Sequence, residues 1–298
     1  MRTQVELDPG IGLRSLEAIE ALQRDFAGAL DMQICVFPQE GLLDNPGTEA
    51  LLIEGLRRGA TVLGAAPYCD SDPSAQIDRI FELAADFNVD IDMHLDMGDT
   101  TDGMQANHVC RRTEEHGWGG RVTIGHCTQM SLLPRPAFDT LARRLANAGV
   151  AVTILPATDL YLSGRTADHA IPRGVVPAQR LLAQGCNCSI ASNNVLNPFT
   201  PYGDGSLIRM ANLAANVCQI GRPDELAECL AMVTDRAAAC LNLKHYGIEV
   251  GHQADLVAFD APNAAAAIAE NAPALWGIKA GRRSFTRPRA TLEPPTAR

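Results

Sequence analysis

The sequence lacks any apolar run of the roughly 18 residues that a membrane-spanning helix needs. Its first residues also lack the apolar segment of a secretory signal peptide, so we predict a cytoplasmic protein. Aromatic residues make up only 5% of the chain, so aliphatic side chains must form most of the core. Lys and Arg total 25 against 35 Asp and Glu, and this acidic balance argues against nucleic acid or a membrane as a partner.

The nine cysteines do not form a recognisable disulfide framework, because their number is odd and most lie within apolar stretches. We therefore expect reduced thiols in the core. Cys186 and Cys188 could place two thiols on one face of a strand, as a metal-binding pair would. However, no second Cys or His pair has a matching spacing. A hydrophobic content of 46% is typical of a globular chain and excludes general disorder.

Short β-rich runs alternate with amphipathic helical segments about every 30 residues, which is the size of one βα unit. Nearly continuous apolar strands indicate a parallel sheet that is covered on both faces. The pattern predicts an α/β fold, a TIM-type (β/α)₈ barrel that is incomplete, with about seven strands. A doubly wound open sheet is the alternative. The predicted strands are residues 3–7, 32–38, 60–66, 89–95, 121–127, 151–156 and 187–191.

The barrel is predicted to occupy residues 1–245, with the strands at 3–7 and 187–191 on either side of an open seam. A long helical region follows the last strand, where Asp204 is the expected N-cap. Residues 246–298 are predicted to form a remnant of a small β-sandwich and a loose tail. Because an exposed strand edge invites pairing, we expect the tail, a helix or another subunit to cover the seam, and we expect a homo-oligomer.

Functional side chains of a parallel barrel collect where the strands end. A single histidine there is commonly structural, but several polar residues on successive strands indicate a ligand pocket. Arg165 could hold an anionic group or form a loop salt bridge. The candidate pocket residues are Gln39, His94, Asp96, His126, Asp159, Tyr161, Asn193 and Asn194.

Several segments, in their order and spacing, resemble the cytosine-deaminase-like branch of the metal-dependent amidohydrolases. They include RTQVELDP, DMQICVFPQEG, VDIDMHLD, RVTIGHCTQM, SNNVLNPFTPYGDGSLIRM and GIEVGHQADLVAFD. The resemblance implies a distorted (β/α)₈ barrel with a small β-sandwich. It also implies one divalent ion, zinc or iron, that activates water to attack a ring carbon or an amide.

The resemblance assigns roles to three residues of this chain. His94 matches a metal-binding histidine, His126 matches the histidine that polarises the attacking water, and Gln39 matches the glutamine that holds the amide-like edge of the substrate. The chain departs from the family at other positions. Met97 replaces a proton-shuttling glutamate, and Asn193 replaces a metal-binding aspartate. Gln4 stands where relatives often have histidine, and the family's first strand, with its H-x-H metal pair, is expected to be missing.

A hydrolytic zinc usually needs three protein ligands and a water, and a neutral amide replaces a carboxylate poorly. We therefore predict no metal, or a weakly bound divalent metal held by His94. Asp96 and His126 are the predicted catalytic residues. The predicted substrate contacts are Gln39, Asp159, Tyr161, Asn193 and Asn194.

Three hypotheses about function stay open. The first is an amidohydrolase-like enzyme that acts on a small nitrogen heterocycle or cyclic amide through an altered, metal-poor site. The second is a metal-free isomerase, lyase or cyclase that uses Asp96 and His126. The third is a non-catalytic binding barrel, or half of a split enzyme whose partner supplies the missing strand.

Overall fold

The computed structural model describes residues 1–293, in which seven parallel strands form one curled sheet in chain order. A doubly wound sheet would reverse its strand order at a switch point, so the sequential order excludes that alternative. The predicted incomplete TIM-type barrel is confirmed, with β1 and β7 at its edges. The strands are β1 (Arg2–Glu6), β2 (Gln33–Phe37), β3 (Val62–Leu63), β4 (Asp90–Leu95), β5 (Val122–His126), β6 (Val150–Ile154) and β7 (Cys188–Ile190).

Helices connect the strands and cover the outer face of the sheet. Over residues 1–293, no helix is both long and apolar enough to cross a membrane. The helices of the barrel part are α1 (Arg14–Asp25), α2 (Thr48–Arg57), α3 (Pro73–Phe87), α4 (Ala106–Glu115), α5 (Arg135–Ala148), α6 (Pro156–Leu162), α7 (Ala178–Ala183), α8 (Leu207–Val217), α9 (Pro223–Ala231) and α10 (Asp235–Cys240).

Helix α3 shows how local sequence sets these boundaries. Its N-cap, Asp72, accepts a hydrogen bond from the backbone N–H of Ala75, and Pro73 occupies the first helical position. Asn88 ends the helix with a left-handed backbone at φ 52°. Between these caps, Ile77, Ile80 and other apolar residues face the sheet and are fully buried.

The two faces of β1 separate the outer core from the barrel lumen. Val5 and Leu7 are buried in the core between sheet and helices. Arg2 and Gln4 lie on the opposite face, where both bond to Asp92 of β4 across the barrel. The ion pair joins Arg2 Nη1 to Asp92 Oδ2 at 2.8 Å, and both side chains are largely buried. The lumen is therefore polar, whereas the layer between strands and helices is apolar.

One helix bridges the seam between the two edge strands. Arg2 of β1 donates from Nη2 to the carbonyl oxygen of Cys240, the last residue of α10, at 3.3 Å. Asn187, which precedes β7, donates from Nδ2 to the sulfur of the same residue at 3.2 Å. Helix α10 thus contacts both edges of the seam at the amino-terminal end of the barrel, so a helix is one of the elements at this seam, as expected.

The region after β7 differs from its prediction in one detail. Ser206, not Asp204, is the N-cap of α8: its hydroxyl accepts from the backbone N–H of Arg209. Asp204 instead accepts from the N–H of Ser206 at 3.0 Å, which holds the preceding turn. All nine cysteines are free thiols, and seven are buried, as expected.

A small, separate antiparallel sheet follows, as predicted. In the described part of the chain it has the order β10-β9-β8. Its elements are β8 (Leu256–Phe259), α11 (Ala264–Ala269), β9 (Ala274–Lys279) and β10 (Arg282–Thr286). Residues 294–298 of the predicted tail lie outside the described residues. The proposed division at residue 245 stays a prediction.

Asp70 ties two loops together at the carboxyl ends of β2 and β3. Its buried carboxylate accepts the backbone N–H groups of Leu42, Leu43 and Asp44 and, at 2.6 Å, the amide of Gln76. Gly41 must be glycine here, because its φ is +92° and a Cβ would lie 2.6 Å from Asp70 Oδ1. The carboxylate therefore organises the loop that follows Gln39.

We expect Asp70→Asn to lower the free energy of unfolding by about 3 kcal/mol, because buried donors lose a charged acceptor. Burial raises the pKa of Asp70, but the bonds from Gln76 and the three N–H groups outweigh it and lower the pKa overall. The contribution of the Asp70 carboxylate to the free energy of unfolding is therefore complete above an ordinary carboxyl pKa. It disappears as the pH falls through the lowered pKa of Asp70. Urea unfolding at neutral and acidic pH measures both effects. The exposed Asp86→Asn in α3 is the control, and equal effects of the two changes would contradict this account.

Candidate functional site

His126 and His94 meet inside the barrel at the carboxyl ends of adjacent strands. His126 ends β5 in register with Leu95, whose side chain faces the outer core. A left-handed backbone at His126, with φ 68°, turns its side chain from that direction. As a result the imidazole centroids of His94 and His126 lie 5.2 Å apart. This uncommon conformation at a strand end places two imidazoles side by side in the lumen.

His126 is held by a buried carboxylate from the next strand end. Its Nδ1 lies 2.6 Å from Oδ1 of Asp159 in α6, and the other oxygen of Asp159 accepts the backbone N–H of Leu155 at 3.1 Å. Asp159 is fully buried and bonds to the imidazole, and its predicted contact with substrate stays a prediction. An acceptor at Nδ1 favours a proton there and leaves Nε2 as the free nitrogen.

His94 is held between two rings. Phe37 of β2 stacks on it with centroids 4.9 Å apart and an interplanar angle of 18°. Burial, with a smaller contribution from His126, lowers the pKa of His94 to about 3, so the ring is neutral at physiological pH. Its Nδ1 is buried and has no hydrogen-bond partner. A neutral imidazole with an unpartnered nitrogen suits ligand contact better than charge pairing.

Asp96 follows β4 and turns away from the two histidines. Its Oδ1 accepts the backbone N–H of Gln105 at 2.6 Å, and its Oδ2 accepts that of Ala106 at 3.1 Å. The carboxylate thereby caps the start of α4. Burial raises the pKa of Asp96 to about 6, although these two bonds oppose the rise. The structure thus gives Asp96 a structural role, and its service as a base stays a prediction.

The remaining candidates occupy neighbouring positions at the same end of the barrel. Gln39 lies beside Tyr68 after β2, and Asn193 follows β7 with a left-handed φ of 54°. Asn194 lines a shallow groove with Tyr202, and Tyr161 meets the Tyr202 ring edge-on at 5.7 Å. That these residues form one pocket with the histidines stays a prediction. Arg165, expected on an anion or in a salt bridge, lies over the Tyr161 ring at 5.3 Å.

Two lumen residues, Glu6 and Phe37, were not among the candidates predicted from the sequence. Glu6, at the carboxyl end of β1, follows Gln4 by two positions and therefore shares its lumen face. It pairs in register with Phe37, whose ring stacks on His94. Burial, together with a hydrogen bond to Asp8, raises the pKa of Glu6. The alternation of side chains along β1 is the sequence signal that places Glu6 on the lumen face.

A model of the Amidohydrolase family matches residues 10–285, which is most of the chain. The chain belongs to the amidohydrolase family. It is 27% identical over 285 residues to an N-isopropylammelide isopropyl amidohydrolase from Pseudomonas sp. (strain ADP), covering 94% of this amidohydrolase and 67% of the relative. It is 27% identical to a pterin deaminase from Rhizobium rhizogenes, covering 83% of this chain and 56% of that one.

The solved structure of 5-methylcytosine deaminase from Klebsiella pneumoniae, liganded with 5-fluorocytosine, superimposes on this amidohydrolase with a TM-score of 0.93. The sequence identity is 26%, and the match covers all of this chain and 73% of that one. The cytosine-deaminase-like resemblance is therefore confirmed. The amidohydrolase described here spans 56–67% of the length of the two relatives compared by sequence, so their activities do not transfer to it directly.

The donor set in the lumen does not fit the metal site that the family implies. Within residues 1–293, no group of three or more His, Cys, Asp or Glu side chains could hold an ion. Of the positions matched to metal ligands, His94 offers one imidazole and Asn193 only a neutral amide, and Nδ1 of the nearby His126 is already paired with Asp159. A single imidazole with a neutral amide is a poor site for a hydrolytic metal. We therefore derive no catalytic step through a metal.

We expect the purified amidohydrolase to carry well under one tightly bound transition metal per chain, because its donors are too few. Elemental analysis after dialysis measures this directly. Any activity should survive treatment with a chelator. Stoichiometric zinc that is lost on His94→Ala, together with loss of activity in chelator, would contradict the expectation.

Proposed function

We propose that this amidohydrolase hydrolyses a C–N bond of a small nitrogen heterocycle or cyclic amide at a metal-poor site in the barrel lumen. The observation that carries the proposal is the buried hydrogen bond between His126 and Asp159, 2.6 Å long and adjacent to His94. A carboxylate that fixes an imidazole and stabilises its charged form is a recurrent acid–base arrangement. Family membership supports the same class of reaction.

The proton of the attacking water can be transferred through Nε2 of His126, the nitrogen that is not paired with Asp159. Nε2 takes a proton from a water molecule while the water oxygen bonds to the ring or amide carbon. Asp159 stabilises the imidazolium that forms. The imidazolium then gives its proton to the departing nitrogen as the C–N bond breaks, which regenerates neutral His126. His94 stays neutral throughout and can offer a hydrogen bond to the substrate.

The substrate class rests on the relatives and on the polar groups near the histidines. The relatives act, by their names, on an ammelide, a pterin and a methylcytosine, and all three are nitrogen heterocycles. Gln39 and Asn193 each combine a donor and an acceptor in one amide, which complements the alternating edge of such rings.

The test is release of ammonia or amine from 5-methylcytosine, N-isopropylammelide and pterin, in metal-free buffer and with added zinc. We expect His126→Asn to lower the rate by about 100- to 10,000-fold, the usual contribution of a general acid–base group. The matched control is His169→Asn, because His169 also pairs with an aspartate, Asp168, but both side chains are highly exposed. Equal activity of wild type and His126→Asn, or no release from any of the three, would refute the proposal.

A further inference from the structure

A cavity of about 170 Å³ lies between the loops that follow β3, β4 and β5. Its walls include Tyr68, Leu95, Asp96, Met97 and Gln129. His94, His126 and Asp159 are not among its lining residues, so the acid–base pair of the lumen does not account for it. The usual pocket for a drug-sized molecule is 300–1,000 Å³, so this volume suits one small ring with its substituent.

The buried polar groups of this cavity offer acceptors. Asp96 and Gln129 are only 6% and 8% exposed. The amide nitrogen of Gln129 is already used, because it donates to the carbonyl oxygens of Thr100 at 2.7 Å and Asp102 at 2.9 Å. Its Oε1 stays free. Each oxygen of Asp96 accepts one backbone N–H and retains a further lone-pair position.

The side chain of Gln105, which also lines the cavity, adds no free donor. Gln105 donates from Nε2 to the carbonyl oxygen of Gly103 at 3.0 Å, and its Oε1 accepts from the hydroxyl of Ser74 at 2.8 Å. The carboxylate of Asp102 contributes further negative charge at the exposed rim. Leu95, Met97 and the ring of Tyr68 supply apolar surface. The cavity thus combines buried oxygen acceptors with flat apolar walls.

We propose that this cavity binds a small planar cation with an amidine- or guanidine-type edge, whose N–H groups point at Asp96 and Gln129. One N–H of the edge donates to a remaining lone pair of Asp96 and another to Oε1 of Gln129, and the charge of the cation strengthens the bond to the carboxylate. The planar body packs against Met97 and Tyr68, where a cation near an aromatic face is also favoured. The site goes beyond the proposed hydrolysis, because it does not need His126.

Calorimetric titration of the wild-type chain with benzamidine and with benzamide tests the inference. Benzamide has the same shape but replaces one nitrogen donor by an oxygen acceptor and carries no charge. We expect benzamidine to bind at least tenfold more tightly. Contacts between the benzamidine ring protons and the methyl group of Met97, detected by NMR, would locate it. Equal affinities for the two probes, or no binding of benzamidine, would overturn the inference.

A variant that fills the cavity gives a second measurement. Met97→Trp leaves both bonds of Asp96 intact and should weaken benzamidine binding at least tenfold, whereas Leu43→Trp, at an exposed position, should not. Unchanged affinity in Met97→Trp would overturn the inference. The probe comparison uses wild type, so it decides the question even if this variant does not fold. Because benzamidine binding and His126-dependent hydrolysis are measured separately, failure of one is distinguished from failure of the other.

Discussion

Replacing Asp159 by asparagine should lower the rate of C–N hydrolysis by about a thousandfold while the barrel stays folded. The asparagine side chain fits the same space, but it presents either an N–H or a neutral oxygen to Nδ1 of His126. An N–H at this point favours the tautomer with its proton on Nε2, which then cannot accept a proton from water. Either orientation of the amide leaves the imidazolium without its stabilising charge. Because Asp159 is fully buried behind His126, the loss should fall on kcat and leave KM nearly unchanged.

The measurement is kcat and KM on the best substrate among the three heterocycles, for wild type and Asp159→Asn. The control is Asp168→Asn, which removes the carboxylate of the exposed pair with His169. Thermal unfolding of each variant shows whether the fold is intact. A thousandfold loss in Asp168→Asn, or an unchanged kcat in Asp159→Asn with a normal melting temperature, would show that the buried pair has no catalytic role.

Replacing Arg2 by methionine should lower the free energy of unfolding by about 3–5 kcal/mol, because Asp92 would remain in the lumen without its counter-charge. Burial raises the pKa of Asp92 even with Arg2 present. Arg2 also bonds to Gln33 of β2 and to Cys240, so its loss weakens the seam as well. Urea unfolding followed by circular dichroism measures the change.

The double variant Arg2→Met with Asp92→Leu separates charge from packing. Apolar replacement of both partners of a buried ion pair is often neutral, so much of the loss should return. Arg58→Met, which removes a salt bridge to Glu20 on the outside of the barrel, should change stability far less than Arg2→Met. A small effect of Arg2→Met, or a double variant less stable than the single one, would contradict this view of the lumen.

The strands could be predicted because each is a short apolar run with polar or helical sequence on both sides. Six of the observed strands lie within one or two residues of the predicted bounds, whereas β3 shrinks to Val62–Leu63 from the predicted 60–66. The strand ends also located His94 and His126 correctly at one end of the barrel. The orientation of His126 was not predictable, because it depends on the left-handed backbone of that residue.

The remaining differences involve partners that are distant in the sequence or equivalent in propensity. Asp159 bonds to His126 across 33 residues, and only the folded positions of β5 and α6 bring them together. Ser206 and Asp204 are both good N-cap residues, and the geometry of the loop decides between them. Asp96 caps α4 because the backbone turns at φ 49° after β4, which no periodicity indicates.

The bridge from Arg2 to Cys240 also bears on the order in which the polypeptide is made. The two residues are 238 positions apart, so β1 emerges from the ribosome long before its partner in α10 exists. At about 5–20 residues per second, the wait is on the order of ten to fifty seconds. During that time β1 can pair with β2 but not reach across the seam. The contact between Arg2 and Cys240 therefore forms only after nearly the whole barrel has been synthesised.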